Sequence, residues 1–460
     1  MTRPRVILSA AKDLACPVAG ASKILRWLRS LRMTAAALAL APTLALAQPP
    51  APPPVRHLPA STGLGEGTPQ PGDAPLPIPD ASPRPRRPAP NAAPYSARLA
   101  ESVMRRNPQV HRRWDYTAGV VLTAIERVGA ARRDQRLLDY VRTNMERFVR
   151  PDGTIEGYRR DEYNLDHLAP GVVVLALHAR TDDPRWRRAA DTLRAQLRTH
   201  PRTAERGLWH KRIYPEQMWL DGLFMAQPFQ VRYALALAAP AERDSMLDDA
   251  ARQFLLMARH ARDPRTGLLV HGWDAARAQP WADSLTGRSP NVWGRAMGWY
   301  LVGLVEVLDA LPAAHPDRGA LLQVLRDAAD AVARVQDPVT GLWWDVMDQP
   351  DRAGNWLEGS ASAMFAYALG RAARLGHVDA RHRRVAERAF DGLVANLLRE
   401  HADGTLSLVN VAQVSGLGGA PRKDGSLRDG SFAYYVSEPV VTDDYKGVGP
   451  LILAALELGR

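Results

Sequence analysis

From Tyr95 to the C-terminus, apolar residues recur at three- and four-residue spacing, and alternating strand-like runs are scarce. That spacing puts the apolar positions on one face of a helix. It predicts twelve helices, at about 97–106, 114–130, 133–149, 170–180, 184–199, 217–238, 242–261, 291–312, 319–336, 359–376, 381–399 and 447–459. They are of two kinds. "VWGRAMGWYLVGLVEVLDAL" and "SASAMFAYALGRAA" are apolar on most sides and rich in small residues, whereas "PRWRRAADTLRAQLRTH" and "RHRRVAERAFDGLVANLLRE" carry a charged face. A helix that is apolar all round must be covered all round, and an amphipathic one can cover it. Alternation of the two kinds predicts an inner and an outer ring.

The connections repeat as well. "RPDGTIEGY", "RGLWHK", "DPRTGLLVHGW", "DPVTGLWWDV" and "HADGTLSLV" each place a Gly turn before apolar or aromatic residues. Their glycines, at 153, 207, 267, 341 and 404, recur at intervals of 54 to 74 residues. One helix pair per interval closes into a toroid, and six pairs give an all-α (α/α)6 barrel. An open α-solenoid is the alternative, but its repeats are usually shorter and more regular.

In such a toroid each long loop leads from an outer helix into the next inner one, so these loops share one face. The unusual residues gather there: Trp114 and Tyr116; Tyr163, Asp166 and His167; Trp209, His210, Trp219 and Asp221; His271 and Trp273; Trp293, Arg295 and Trp299; Trp343 and Trp344; Tyr445 and Lys446. Indole faces stack on sugar C–H surfaces, and carboxylates and imidazoles hydrogen-bond hydroxyls. The composition is that of a carbohydrate site.

Each residue also has a plainer reading. Asp221, between Leu220 and Gly222 with Trp219 before it, could simply cap a helix. An apolar surround instead favours the neutral form of a carboxyl, which is what a proton donor at neutral pH needs. Asp166 lies four residues before Pro170 and reads equally as a turn residue. His210 and His271 could be satisfied core histidines. Some of the Trp residues must be core. Arg295 shares its predicted helix with Trp293 and Trp299; a guanidinium there needs an anionic or aromatic partner, and it is expected to lie flat against one indole with its fork aimed into the funnel. No H-x-x-x-H or H-E-x-x-H pattern occurs, so no metal is expected. "GLGG" at 416–419 lacks the Lys-Ser/Thr of a nucleotide loop.

Composition narrows the setting. Apolar residues are 46% of the chain, enough for a large core, and the net charge is +11. Residues 1–47 hold seven basic residues against Asp13, and elsewhere Arg is scattered rather than striped, which disfavours a nucleic-acid face. A single cysteine, Cys16, excludes a disulfide framework. Residues 1–47 read as a signal peptide, with a basic start, an apolar stretch from Thr34 to Leu46 and an A-x-A end at Ala45 to Ala47; Met33 is a second candidate start. The apolar run is too short to span a membrane. Residues 48–94 are dense in Pro and nearly free of large apolar side chains, as in a disordered linker. The expectation is a bacterial protein of the periplasm or medium, with no membrane contact after cleavage, no nucleic-acid partner, no cofactor, and a monomeric catalytic domain over 95–460.

The stretches "YNLDHLAPG", "LRTHPRT", "GLWHKRIYPEQMWLDGLFMAQPF", "HGWD", "GRSPNVWGRAMGWY", "DPVTGLWWDVMDQP", "EGSASAMFAYAL" and "YYVSEPVVTDDYKGVG" together resemble glycoside hydrolase family 105, the unsaturated rhamnogalacturonyl hydrolases. They run from about Trp114 to Lys446. The resemblance implies an (α/α)6 barrel that removes a 4,5-unsaturated uronic acid from the non-reducing end of lyase-generated pectin oligosaccharides. It implies Asp221 of "MWLDG" as the general acid/base and Asp166 as the second carboxylate. Tyr116, His210, Trp219, His271, Trp293, Arg295 and Trp299 are the implied substrate contacts; "WDYTAGV" around Tyr116 departs most from the family pattern. The unsaturated glucuronyl hydrolases share the barrel and match less well. Other (α/α)6 carbohydrate enzymes, an inverting glycosidase or a polysaccharide lyase, remain alternatives, as does a sugar-binding protein without activity.

The Pro-rich stretch has little apolar surface to bury. Removal of residues 1–94 should therefore leave the thermal midpoint unchanged; a marked fall in a calorimetric scan would contradict the linker reading.

Overall fold

A computed structural model describes residues 93–460, apart from 112, 420 and 422–424. The leader and nearly all of the linker read from the sequence lie outside the described residues. Six inner helices, α2 (Tyr116–Arg132), α4 (Gly171–Arg180), α6 (Leu220–Ala236), α8 (Gly294–Ala310), α10 (Gly359–Arg374) and α13 (Tyr445–Leu458), each pack on the next, and α13 returns to α2. Outside them lie α1 (Tyr95–Arg106), α3 (Gln135–Glu146), α5 (Pro184–Thr199), α7 (Pro240–His260), α9 (Arg318–Arg334) and α11 (Arg381–Gly392). This is the (α/α)6 barrel. One detail differs from six sequential hairpins. The sixth pair joins α1 to α13, so the two ends of the domain close the ring.

The inner helices are buried nearly all round; in α8 every residue from Gly294 to Leu308 is covered. Small residues make this possible. A Cβ at Gly298 would lie 2.6 Å from Sδ of Met364 on α10, and one at Gly303 would lie 3.1 Å from Cα of Phe224 on α6. The outer helices carry the amphipathic faces that cover them.

Each long connection makes a short turn before its inner helix, closed by bridges such as Val149 to Ile155, Arg202 to Leu208 and Arg262 to Leu269. Gly153, Gly267, Gly341 and Gly404 take φ between 76° and 88° there, while at the second turn Arg206 adopts the positive φ in place of Gly207. Two predicted helices start too early. Residues 217–219 form strand β1 (Gln217–Trp219), which pairs antiparallel with β2 (Gly272–Asp274), and 291–293 are not helical. The predicted helix 381–399 stops at Gly392. A wide turn, Leu393–Leu397, follows and leads into β3 (Leu398–Glu400), paired with β4 (Leu406–Leu408). The last connection adds β5 (Val411–Ala412) paired with β6 (Val440–Val441), and between them a short helix, α12 (Phe432–Val436), that the periodicity did not predict.

Far from the long loops, Glu306 of α8 sits buried among cations. Arg127 grips it with both nitrogens at 2.7 and 2.6 Å, Arg232 reaches it at 2.5 Å, and Tyr367 donates to it. Burial opposes its ionisation, but the charges of Arg127 and Arg232 outweigh that and hold its carboxyl well below the usual range. Four inner helices, α2, α6, α8 and α10, are tied together by this one side chain. Glu306→Gln would leave the guanidiniums without their shared anion, at a cost of about 3–5 kcal/mol. Denaturant melts should show that loss while activity per folded molecule is retained.

Candidate active site

The site is assembled where the inner helices begin. The β1–β2 pairing sets Trp219 opposite Gly272, and the backbone N–H of Leu220 donates to the carbonyl of His271 at 3.0 Å. His271 is thereby carried beside Asp221 in the first turn of α6, with Nε2 3.2 Å from Oδ2 of the carboxylate. A second clamp comes from the preceding loops. The amide of Leu165 donates to the carbonyl of His210, and the amide of His210 to that of Gln217. This brings the 3-10 turn Leu165–Leu168, with Asp166, against the start of α6. Gly222 is needed there, because a Cβ would lie 3.1 Å from Nδ1 of His210 and 3.0 Å from Leu165.

The two carboxyls live in different surroundings. Asp166 forms an ion pair with Lys211, Nζ to Oδ2 at 2.6 Å, and lies 3.6 Å from Nε2 of His210. Burial raises the pKa of Asp166, but Lys211 and His210 more than offset it, so the carboxyl stays below its usual range. Burial likewise disfavours the Lys211 cation, and Asp166 reverses the balance, leaving the ammonium above its ordinary value. Asp221 has no such clamp: among the described residues the basic side chain within 4.0 Å of it is the His271 imidazole. The surround is thus less apolar than the sequence suggested, with an imidazole against one carboxyl oxygen.

Around these groups the predicted aromatics divide into two sets. Trp219 lies nearly parallel to His210 at 4.3 Å between ring centres and to Tyr214 at 4.8 Å. Its Nε1 donates to Gln217 at 3.2 Å. Covered in this way, the indole orients His210 rather than offering a free face. Trp293 donates from Nε1 to Asp345 at 3.0 Å and tilts over His271 at 4.9 Å. Arg295 lies over the Trp293 ring at 5.0 Å, as the sequence predicted, but its fork is not open: the residue is 0% exposed and one Nη donates to the carbonyl of Ala412. Its other Nη has no hydrogen-bond partner. Tyr116, at the start of α2, is half-buried. Burial first, then the Asp166 charge, holds its phenol well above the usual range. Trp299 belongs to the core. It is 1% exposed, stacks on Phe224 at 4.5 Å and meets Tyr116 edge-on at 6.2 Å, so it supports the site from beneath.

Sequence reasoning missed Lys211, although it directly follows His210. It also missed Asp345, whose neighbour Trp344 drew the attention. Burial, then the nearby Glu358 charge, pushes the Asp345 carboxyl well above its usual range, with Arg295 opposing. For metal ligation, Asp248, His315 and Asp317 bring one donor atom each within 4.8 Å of one another. They are not fully buried and lie near α7 and α9, and the 3.1 Å pair of His315 with Asp248 accounts for the cluster.

A closed ring of six helix pairs, with Asp166 and Asp221 placed where its inner helices begin, matches a known family. Residues 95–460 fit the family model described as Glycosyl Hydrolase Family 88. A solved glycoside hydrolase of family 105 from C. acetobutylicum ATCC 824 is 40% identical, with a TM-score of 0.76, over 80% of this chain and 99% of that one. The chain belongs to the family 88/105 glycoside hydrolases. The unsaturated rhamnogalacturonyl hydrolase YesR of Bacillus subtilis (strain 168) is 30% identical over 59% of this chain and 74% of its own. The unsaturated glucuronyl hydrolase of Bacillus sp. GL1 shares the fold at 13% identity, with a TM-score of 0.58 over 79% and 95% of the two chains.

In this family 88/105 enzyme, burial pushes the His210 imidazole down to about 4, with Asp166 opposing. An unfolded imidazole titrates near 6.5, so between the two values the unfolded chain binds more protons and stability rises with pH. Acidification from pH 7 to 5 should cost on the order of 2 kcal/mol through His210. His200, also lowered to about 4 by burial, acts in the same direction. His210→Gln should flatten the pH dependence of the thermal midpoint over this range; an unchanged slope in calorimetry would contradict the assignment.

Proposed function

We propose that the enzyme removes a 4,5-unsaturated uronic acid from the non-reducing end of rhamnogalacturonan-type oligosaccharides by hydrating the C4=C5 double bond. The observation that carries the reading is the contrast between the two carboxyls: Asp166 is clamped as an anion by Lys211, while Asp221 faces an imidazole. Paired carboxyls in unlike surroundings divide the acid and charge-stabilising roles between them. The choice of rhamnogalacturonan rests on the likeness to YesR, whose name gives that substrate class.

The chemistry follows from a vinyl ether. The acid form of Asp221 gives its proton to C4. The π pair forms the new C–H bond, and the positive charge left at C5 is shared with the ring oxygen. Water attacks C5 and returns its proton to the Asp221 carboxylate. The hemiketal opens to a C5 ketone and a C1 hemiacetal, which expels the remaining sugar as an alcohol. A single carboxyl serves both proton transfers, so the carboxylate spacing that separates inverting from retaining glycosidases does not govern the outcome. Ionised Asp166 and the N-terminal ends of the inner helices have complementary uses. The helix ends favour the substrate carboxylate, and Asp166 with Lys211 addresses hydroxyls, His210 standing behind Asp166. Tyr116 stands beside them. Arg295, held against Trp293, supplies positive charge from behind the wall rather than a fork into the funnel. The leader read in residues 1–47 supports a place in the periplasm or medium, where lyase products arise.

Asp221→Asn keeps the shape but cannot deliver a proton. It should lower kcat on a 4,5-unsaturated rhamnogalacturonan disaccharide by about 10²–10⁴-fold with KM and folding nearly unchanged. A near-native rate would remove Asp221 from the role. Equal cleavage of a saturated glycoside by the native enzyme would favour an ordinary glycosidase.

A further inference from the structure

Behind His271 lies a residue that the proposed reaction does not yet use. Tyr435 is carried on α12, whose first turn is capped by Ser431, the Tyr434 amide donating to its Oγ. Its hydroxyl lies 2.8 Å from Nδ1 of His271, and both residues are buried. Burial holds the phenol well above its usual range, so the hydroxyl keeps its proton. A buried O–H must be placed on an acceptor. Among the described residues its hydrogen-bond partner is Nδ1, and donation from the hydroxyl would leave that nitrogen without a hydrogen. The neutral imidazole then has its proton on Nε2, the nitrogen 3.2 Å from Oδ2 of Asp221. The ring is also fixed in orientation. Trp293 tilts over it at 4.9 Å, Trp219 meets it edge-on at 5.4 Å, and Trp293 is itself nearly parallel to the Tyr435 ring at 5.9 Å.

We propose that Tyr435 is a positioning residue for proton transfer: by donating to Nδ1 it holds His271 as the tautomer whose Nε2–H faces Oδ2 of Asp221, and so leaves the transferable proton on Oδ1. The inference rests on the reading of Asp221 as proton donor. Oδ2 meets an N–H in both protonation states, and once the proton has gone to C4 that N–H dipole stabilises the carboxylate. The Nε2 to Oδ2 approach is not a well-aligned hydrogen bond, so the contact acts as a charge–dipole interaction that strengthens as charge develops on the carboxylate. Without the phenol oxygen, Nδ1 loses its partner. The alternative tautomer then presents a bare Nε2 that draws the Asp221 proton onto Oδ2, away from the substrate.

Tyr435→Phe removes one oxygen and keeps the ring that packs on Trp293. On a 4,5-unsaturated rhamnogalacturonan disaccharide its kcat should fall about ten-fold or more, within the about 10²–10⁴ of a general acid, with KM within about two-fold. The thermal midpoint should be nearly retained. In a His271→Gln background the same substitution should cost nothing further. Long-range 1H–15N spectra of 15N-histidine-labelled enzyme should show His271 with a bare Nδ1 and a protonated Nε2 in the native protein. Native kcat in Tyr435→Phe, a loss confined to thermal stability, or a protonated Nδ1 in the native spectrum would each overturn the proposal. If the native enzyme fails to turn over the disaccharide, the reading of Asp221 fails instead, and the spectrum still decides the tautomer.

Discussion

Three residues of strand pairing place the two groups on which the proposed chemistry depends. Gln217–Trp219 and Gly272–Asp274 come from two different outer-to-inner connections, and their register fixes His271 beside Asp221. A slip of one residue would turn the side chains to the opposite face and separate the pair. The barrel around that register is tightly packed. Its inner helices are covered on all sides, so their first turns cannot shift independently, and the loops that precede them inherit the same rigidity.

The second determinant is the unequal treatment of two carboxyls. Lys211 spends its charge on Asp166, and both are displaced from ordinary titration in the direction that preserves the ion pair. Asp221 is given an imidazole instead. His210, neutral through burial, stands between the two and is itself oriented by the Trp219 ring. The aromatic residues thus work mainly as walls and orienters. Trp219, Trp293 and Trp299 are nearly inaccessible, Asp221 is 9% exposed, and Tyr116, Asp166 and Lys211 are partly exposed.

Much of this was legible in the sequence because it depends on local periodicity. Twelve helices, their alternation and the recurring Gly turns follow from apolar spacing, and the turns put Asp166, His210, Asp221 and His271 on one face. What was lost depends on long-range pairing. The strand at 217–219 reads as the start of a helix because its residues are buried whichever way they fold. Trp299 reads as a site residue because its spacing from Trp293 does not show how far below the mouth it lies. Lys211 and Tyr435 are ordinary residues in sequence, and only the tertiary neighbours Asp166 and His271 give them a role. The closing contact of α1 with α13 joins the two ends of the domain and leaves no periodic trace.

In the proposed reaction the enzyme adds water across C4=C5 rather than cleaving the glycosidic bond directly. Turnover of an unsaturated rhamnogalacturonan disaccharide in D2O, followed by 1H NMR from the first turnovers, tests it. Hydration predicts loss of the C4 vinyl signal in step with appearance of a C4 methylene carrying one deuteron on a single face. Release of free unsaturated uronic acid with its vinyl proton intact would contradict it.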